Sequence, residues 1–173
     1  EKVGMFEQSS FAKLLVQGRD AEKVLNRLAT ANMSVPVGDV SYTQFLNQIA
    51  GIEADLTITR VAEDAYAVVT AAFTQTHVDA WIKEHINKDE FCVVTDVTAA
   101  YTMLNIQGPN SRDLLSTISS ADFSTEAFPF GTMQEIEIGY QLSYAVRISY
   151  AGELGWELYT CLLYTSPSPR DRY

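Results

Sequence analysis

Residues 51–70 read GIEADLTITRVAEDAYAVVT, and this stretch decides the fold class. Glu53, Asp55, Thr57 and Thr59 alternate with Ala54, Leu56 and Ile58. A strict period of two predicts a strand with one wet face. Glu63-Asp64 reads as a turn, and Ala65 to Thr70 as a second strand. Two strands joined so tightly are antiparallel neighbours, because a parallel pair needs a long crossover.

The same logic extends outward. Phe11 to Val16 reads as a short strand, ended by Gly18. Asp20 is a suitable N-cap for a helix from Ala21 to about Thr30, with Val24, Leu25 and Leu28 on one face. Val35-Pro36-Val37-Gly38 is a loop, Tyr42 to Leu46 a strand and Asn47 to Gly51 a turn. Phe73 to Ile86 has helical spacing, and Phe91 to Val94 and Tyr101 to Ile106 read as strands. Gly108-Pro109 opens another helix, faced by Leu114, Leu115 and Ile118. Met133 to Ile138 and Leu142 to Tyr150 form a hairpin across Gly139-Tyr140, and residues 148–160 alternate, turn on glycines and alternate again. Hairpins are frequent and strand pairs separate the helices. The expected class is α+β with mostly antiparallel sheets and packed helices, not a doubly wound parallel sheet. No internal repeat and no glycine-rich phosphate loop is read in the chain.

Composition narrows the function. The 173 residues are 47% hydrophobic and carry a formal charge of −10. That acidity argues against broad nucleic-acid or anionic-membrane binding, which needs stripes of Lys and Arg. No apolar run approaches the ~20 residues of a membrane span. Cys92 reads as a small buried apolar residue. His77 and His85 have no partners at metal spacing, so no metal site is expected.

The chain closes with CLLYTSPSPRDRY, which neither alternates nor turns as the preceding residues do. Cys161 to Ser166 can be encoded by TGTCTCTTATACACATCT, which resembles a transposon end used in sequencing libraries. Pro167 to Asp171 can be encoded by CCGAGCCCACGAGAC, which resembles the adjoining adapter. Residues 161–173 are therefore expected to be translated adapter, with the biological sequence ending near Thr160, rather than a natural Ser/Pro-rich linker.

Two carboxylates could carry chemistry. Asp55 shares a strand face with Glu53, Thr57 and Thr59. Glu153 lies between Gly152 and Gly155 in YAGELGWELY, where the backbone is free to approach something closely. On pattern alone the plainer readings prevail: an acidic solvent face for Asp55, and an exposed turn for Glu153.

The ordered stretches VGMFEQSSFAKLLVQG, VPVGDVSYTQFLNQIAGIEADLTITR, AYAVVTAA, LNIQGPNSRDLL and ISYAGELGWELY resemble the folate-binding half of the glycine-cleavage T-protein (aminomethyltransferase) family. GELGWELY, ADLTITR and DFSTEAFPF are most similar to the C-terminal folate domain of FAD-dependent dimethylglycine and sarcosine dehydrogenases.

The resemblance implies a T-protein-like folate-binding fold over residues 1–160. It would include a ferredoxin-like part over about 53–139 and stop short of the family's C-terminus. It implies tetrahydrofolate as the acceptor of a one-carbon unit from an aminomethyl or iminium donor, giving 5,10-methylenetetrahydrofolate. It also implies FAD in a fused upstream domain that oxidises an N-methylated amine. Asp55 matches the family's essential aspartate and Glu153 its pterin-binding glutamate. Phe11, Tyr42 and Val69 match positions lining the pterin and benzoyl groups. Ala71 departs from the pattern, standing where the T-protein has a folate-contacting Asn. The family's further Arg and aromatic contacts lie past Tyr159, so weak folate binding by this stretch alone is expected. The implied compartment is the bacterial cytoplasm or the mitochondrial matrix. Two alternatives stay open: a stand-alone aminomethyltransferase, and a non-catalytic regulatory module on the same fold.

Overall fold

The computed structural model describes residues 2–161. Two compact units divide the chain: a continuous unit, Ser10–Thr98, and a discontinuous unit, Glu1–Ser9 with Ala99–Tyr173. Of the closing stretch read as adapter, Cys161 ends a strand opposite Tyr101, and residues 162–173 lie outside the described residues.

The continuous unit holds strands β2 (Ala12–Gln17), β3 (Val40–Leu46), β4 (Ile52–Ala62), β5 (Ala65–Thr70) and β6 (Val93–Asp96), with helices α1 (Ala21–Leu28) and α2 (Gln75–Glu84). The strands form one sheet in the order β3-β4-β5-β2-β6. Every pair is antiparallel. The alternation in β4 is obeyed: Ala54, Leu56 and Ile58 are buried beside Leu14, Val16, Tyr66 and Val68. Val24, Leu25 and Leu28 of α1 and Val78 and Ile82 of α2 complete that core. Fully burying a side chain of this kind contributes about 1.5–3 kcal/mol. The other face of β4 carries Asp55 and Thr57, but Thr59, expected on the wet face with them, is buried.

The discontinuous unit holds β1 (Gly4–Glu7), β7 (Tyr101–Gln107), α3 (Ser111–Ile118), β8 (Met133–Ile138), β9 (Gln141–Val146) and β10 (Gly155–Cys161). Its sheet runs β1-β7-β10-β9-β8, again antiparallel throughout. Trp156 is its central buried residue, with Phe123 edge-on at 5.4 Å and Phe128 at 6.1 Å.

The two sheets have the same plan, which corrects the reading that the chain has no internal repeat. β8, β9, β10, β7 and β1 correspond to β3, β4, β5, β2 and β6. In each unit a strand ends in Gln-Gly, and a helix of eight residues follows. Gly18 N–H donates to Asp64 C=O at 2.9 Å, and Gly108 N–H to Leu154 C=O at 2.8 Å. Both glycines have positive φ, +133° and +125°. A Cβ would lie 2.3 Å from the Phe91 carbonyl at Gly18 and 2.8 Å from the Lys2 carbonyl at Gly108. Only glycine fits either corner.

Val35-Pro36-Val37-Gly38 likewise matches Phe128-Pro129-Phe130-Gly131. Gly38 N–H donates to Arg60 C=O at 2.7 Å, and Gly131 N–H to Arg147 C=O at 2.8 Å. Each arginine then lies over its unit's buried aromatic, Arg60 at 5.5 Å from the Tyr66 centroid and Arg147 at 5.6 Å from Trp156. The repeat escapes a plain sequence scan because its identities are few and scattered. Leu25 matches Leu115 in both cores, but most core positions differ, as Tyr66 does from Trp156 and Phe45 from Ile138.

Several local expectations are corrected. The Asp20 side chain does not cap α1; its Oδ2 accepts the Phe91 N–H at 2.7 Å, tying the strand entry instead. The strand expected at Phe91 starts at Val93, because the Phe91 backbone is engaged by Asp20 and lies against Gly18. The stretch from Phe73 opens as a 3-10 turn, Ala72–Thr74, before α2. Of the face expected for α3 only Leu115 is fully buried; Leu114 and Ile118 are partly exposed, at 38% and 44%. Cys92 is half-buried against the continuous core, and burial raises its thiol pKa.

Candidate functional site

Asp55 sits in the middle of the longest strand, β4, on the face away from α1 and α2. Its inward neighbours Ala54 and Leu56 are locked in the core, so its backbone has little freedom. β5 ends at Thr70, which leaves the Asp55 carbonyl without a ladder partner. The Thr70 hydroxyl takes that role at 3.0 Å. A backbone acceptor that would otherwise go unpaired is thereby satisfied.

The side chain is held just as definitely. Gln44 lies directly opposite Asp55 in the β3–β4 register, and Tyr42 opposite Thr57. Tyr42 donates its hydroxyl to Asp55 Oδ2 at 2.9 Å. Gln44 Nε2 donates to Asp55 Oδ1 at 2.9 Å. Each carboxylate oxygen thus accepts one hydrogen bond from β3. A carboxylate offers about four lone-pair sites, so acceptor capacity remains on both oxygens of a group that is exposed. Glu53, the other carboxylate on this stretch of β4, is tied to a turn and a helix instead. Asn47 Nδ2 donates to it at 2.7 Å, and His77 Nε2 lies 2.9 Å from its second oxygen.

Val69 stands opposite Thr57 on one side and Lys13 on the other, so Tyr42, Thr57, Val69 and Lys13 form one cross-strand row. Phe11 directly precedes β2 and is half-buried; its carbonyl accepts a hydrogen bond from Lys13 Nζ at 2.9 Å. Four of the five expected site residues, Phe11, Tyr42, Asp55 and Val69, therefore belong to the continuous unit. Tyr42, Asp55 and Val69 share one sheet face.

Glu153 belongs to the discontinuous unit. It is exposed, in the loop between β9 and β10, after Gly152 at φ +78°. Its carboxylate has no hydrogen-bond partner among the described residues. An uncommitted carboxylate of this kind is able to accept two parallel N–H donors.

Sequence reasoning missed Gln44, the second donor to Asp55. The available signal was its two-residue spacing from Tyr42, which places both on one face of a strand. Glu157 was also missed. It is buried in β10 and accepts the Tyr159 hydroxyl at 2.7 Å. Burial, and then the neighbouring Glu157, pushes the Tyr159 phenol well above its usual pKa. Among the described residues no group of three or more His, Cys, Asp and Glu side chains is arranged to hold a metal. Among the described residues no helix is long and apolar enough to cross a membrane.

The corresponding positions of the discontinuous unit separate site from scaffold. There the register pairs Glu135 with Tyr144 and Glu137 with Leu142. These stand where the continuous unit has Tyr42 with Thr57 and Gln44 with Asp55. The same sheet is therefore built without the aspartate and without either donor.

Comparisons with known proteins agree with this architecture. The model of the GCVT N-terminal domain matches residues 1–163. A 4-methylaminobutanoate oxidase (formaldehyde-forming) of Paenarthrobacter nicotinovorans is 46% identical over 92% of this chain, which spans 19% of that protein. The mitochondrial sarcosine dehydrogenase of Mus musculus is 37% identical over 90% of the chain, which spans 18% of it. Among solved structures, the glycine cleavage system aminomethyltransferase T of Bartonella henselae superposes with a TM-score of 0.79 at 25% identity. That match covers 92% of this chain and 42% of the other. The chain thus spans about a fifth of these two oxidoreductase relatives, and it belongs to the GCVT N-terminal domain family.

Proposed function

We propose that this chain is the part of a tetrahydrofolate-dependent one-carbon transfer domain that carries the acidic group of the reaction. We place it in an FAD-dependent dehydrogenase or oxidase of N-methylated amines. The carrying observation is the Asp55 carboxylate, exposed on a rigid strand and held at both oxygens by Tyr42 and Gln44. The names of the two oxidoreductase relatives support the N-methylated amine class.

Tetrahydrofolate supplies two nucleophilic amines, which take up the one-carbon unit as 5,10-methylenetetrahydrofolate. This chain's residues do the rest. The Asp55 carboxylate, held at both oxygens, would favour a cationic iminium donor electrostatically. Its remaining lone pairs can accept a proton released as the amines react. Val69 and the ring of Tyr42 offer apolar surface beside it, the usual lining of a pocket for a planar ligand. Glu153 is assigned to the pterin edge, where a carboxylate accepts paired N–H groups. Phe11 is assigned to the same lining.

Asp55→Asn in the full-length protein tests this. Methylenetetrahydrofolate yield is expected to fall at least about a hundredfold, in the range of general acid–base contributions, while flavin-driven loss of the N-methyl group continues. An unchanged yield would remove Asp55 from the reaction.

A further inference from the structure

We infer that Gln44 is a positioning residue for Asp55, orienting the carboxylate for one-carbon transfer. This deepens the proposed function and rests on it. Three observations carry it.

The first is contact: Gln44 Nε2 donates to Asp55 Oδ1 at 2.9 Å while Tyr42 holds Oδ2 at the same distance. An ionised carboxylate only accepts, so the amide must turn its NH₂ toward it. One donor would leave the carboxylate free to swing about its χ2; two donors on different oxygens define its plane. The second is register. Gln44 is the residue directly across from Asp55, and both flank a core row in which Phe45 and Ala54 are buried. The donor therefore approaches from a strand that cannot slide without breaking the core. The third is the internal comparison. In the discontinuous unit the same register position pairs Glu137 with Leu142, and the sheet still forms. A carboxamide here is not a requirement of the fold.

The Gln44 backbone makes its own bonds, its carbonyl accepting the Thr30 N–H at 3.0 Å. Side-chain substitutions leave these in place. Gln44→Met removes the donor at similar length. Gln44→Glu keeps the shape but sets a second acceptor against Asp55.

The test is a double-mutant cycle in the full-length protein, with tetrahydrofolate and either 4-methylaminobutanoate or sarcosine as donor. Gln44→Met is expected to lower kcat for methylene transfer roughly tenfold or more, the cost of one hydrogen bond to a charged group. The KM for tetrahydrofolate should change much less. In the Asp55→Asn background the same substitution should cost almost nothing, because coupled residues are not additive. A crystal structure of the Gln44→Met variant should show the Asp55 carboxylate rotated from its present plane. Gln44→Glu should lose more activity than Gln44→Met, and it carries the test if Gln44→Met proves unstable. Wild-type kcat in both Gln44 variants, or an equal loss with and without the Asp55 carboxylate, would overturn the assignment while leaving Asp55 in place. If Asp55→Asn itself transfers normally, the functional reading fails first and Gln44 falls with it.

Discussion

The continuous and discontinuous units share a strand order and a register, and they differ where chemistry is proposed. What recurs is the backbone hardware. Gly18 and Gly108 make the strand-to-helix corners, Pro36-Val37-Gly38 and Pro129-Phe130-Gly131 lead into strands, and Arg60 and Arg147 cover a buried aromatic. What does not recur is the set Tyr42, Gln44 and Asp55 and the long loop that holds Glu153. Ala62 and Ala65 are separated only by Glu63-Asp64, whereas residues 147–154 join β9 to β10. The repeat thus acts as an internal control. Residues present in both units serve the fold, and residues present in one are available for function.

The comparison can be broken most severely at its shared corners. Gly18→Ala is expected to cost about 3 kcal/mol or more, from a disallowed φ and a Cβ forced onto a carbonyl. Gly108→Ala should cost less than Gly18→Ala, since its nearest atom is 2.8 Å away rather than 2.3 Å. Equal denaturant midpoints for the two variants would contradict the ranking. The aromatic centres are comparably sensitive. Trp156→Ala should destabilise by about 3–5 kcal/mol, the usual cost of emptying a core aromatic site.

A smaller effect sharpens a difference between the units. Glu90 is clasped by Lys23 and Arg27 of α1, while α3 has Asp113 and Thr117 at the matching helix positions. The Arg27 hydrogen bond and the Asn87 N–H hold the Glu90 carboxyl far below its usual range. A depressed carboxyl stabilises the fold above the unfolded-state pKa, about 4.3, and loses that contribution as pH falls toward the folded value. Acid should therefore weaken the continuous unit first. Hydrogen exchange followed from pH 6 to 3 reads this directly, and Glu90→Gln should shrink the difference, leaving the smaller effects of Asp96 and Asp122, whose carboxyls are also depressed.

At the other end of the scale, burial pushes the Tyr66 phenol up to about 12. Its protonated form is the one the core accepts, so its contribution is full below about pH 10 and is lost as pH rises through about 12. Tyrosinate absorbance in wild type against Tyr66→Phe measures it. The smallest effect expected is that of Glu137→Gln on methylene transfer: none, because the matching position of the discontinuous unit lies outside the proposed chemistry.

Much of this was legible in residues 51–70. The alternation of β4 and the Glu63-Asp64 turn require an antiparallel hairpin whatever surrounds them, because side-chain parity is a local property of extended backbone. The span of β5 came directly from its apolar run and flanking turn. The core face of α1 was equally plain in its spacing. Harder to see was β1, which is four residues long and mostly exposed, so no buried face marks it in sequence. Its partner β7 creates it. The α3 face was misjudged for a related reason: apolar spacing shows which residues could be buried, but packing in the discontinuous unit reaches only Leu115 and Ser111.

The site divides along the same line. Asp55 as a fixed acidic residue on a polar strand face could be read from the sequence by itself, since parity and strand continuity determine it. That its two oxygens are held by Tyr42 and Gln44 could not. Those hydrogen bonds depend on which residue of β3 stands across from which residue of β4. That register is set by the burial of Phe45, Ala54, Leu56 and Ile58 in a common core. A slip by one residue would turn both donors to the wrong face. Local chemistry placed the carboxylate on a surface; only the tertiary structure decided what holds it there.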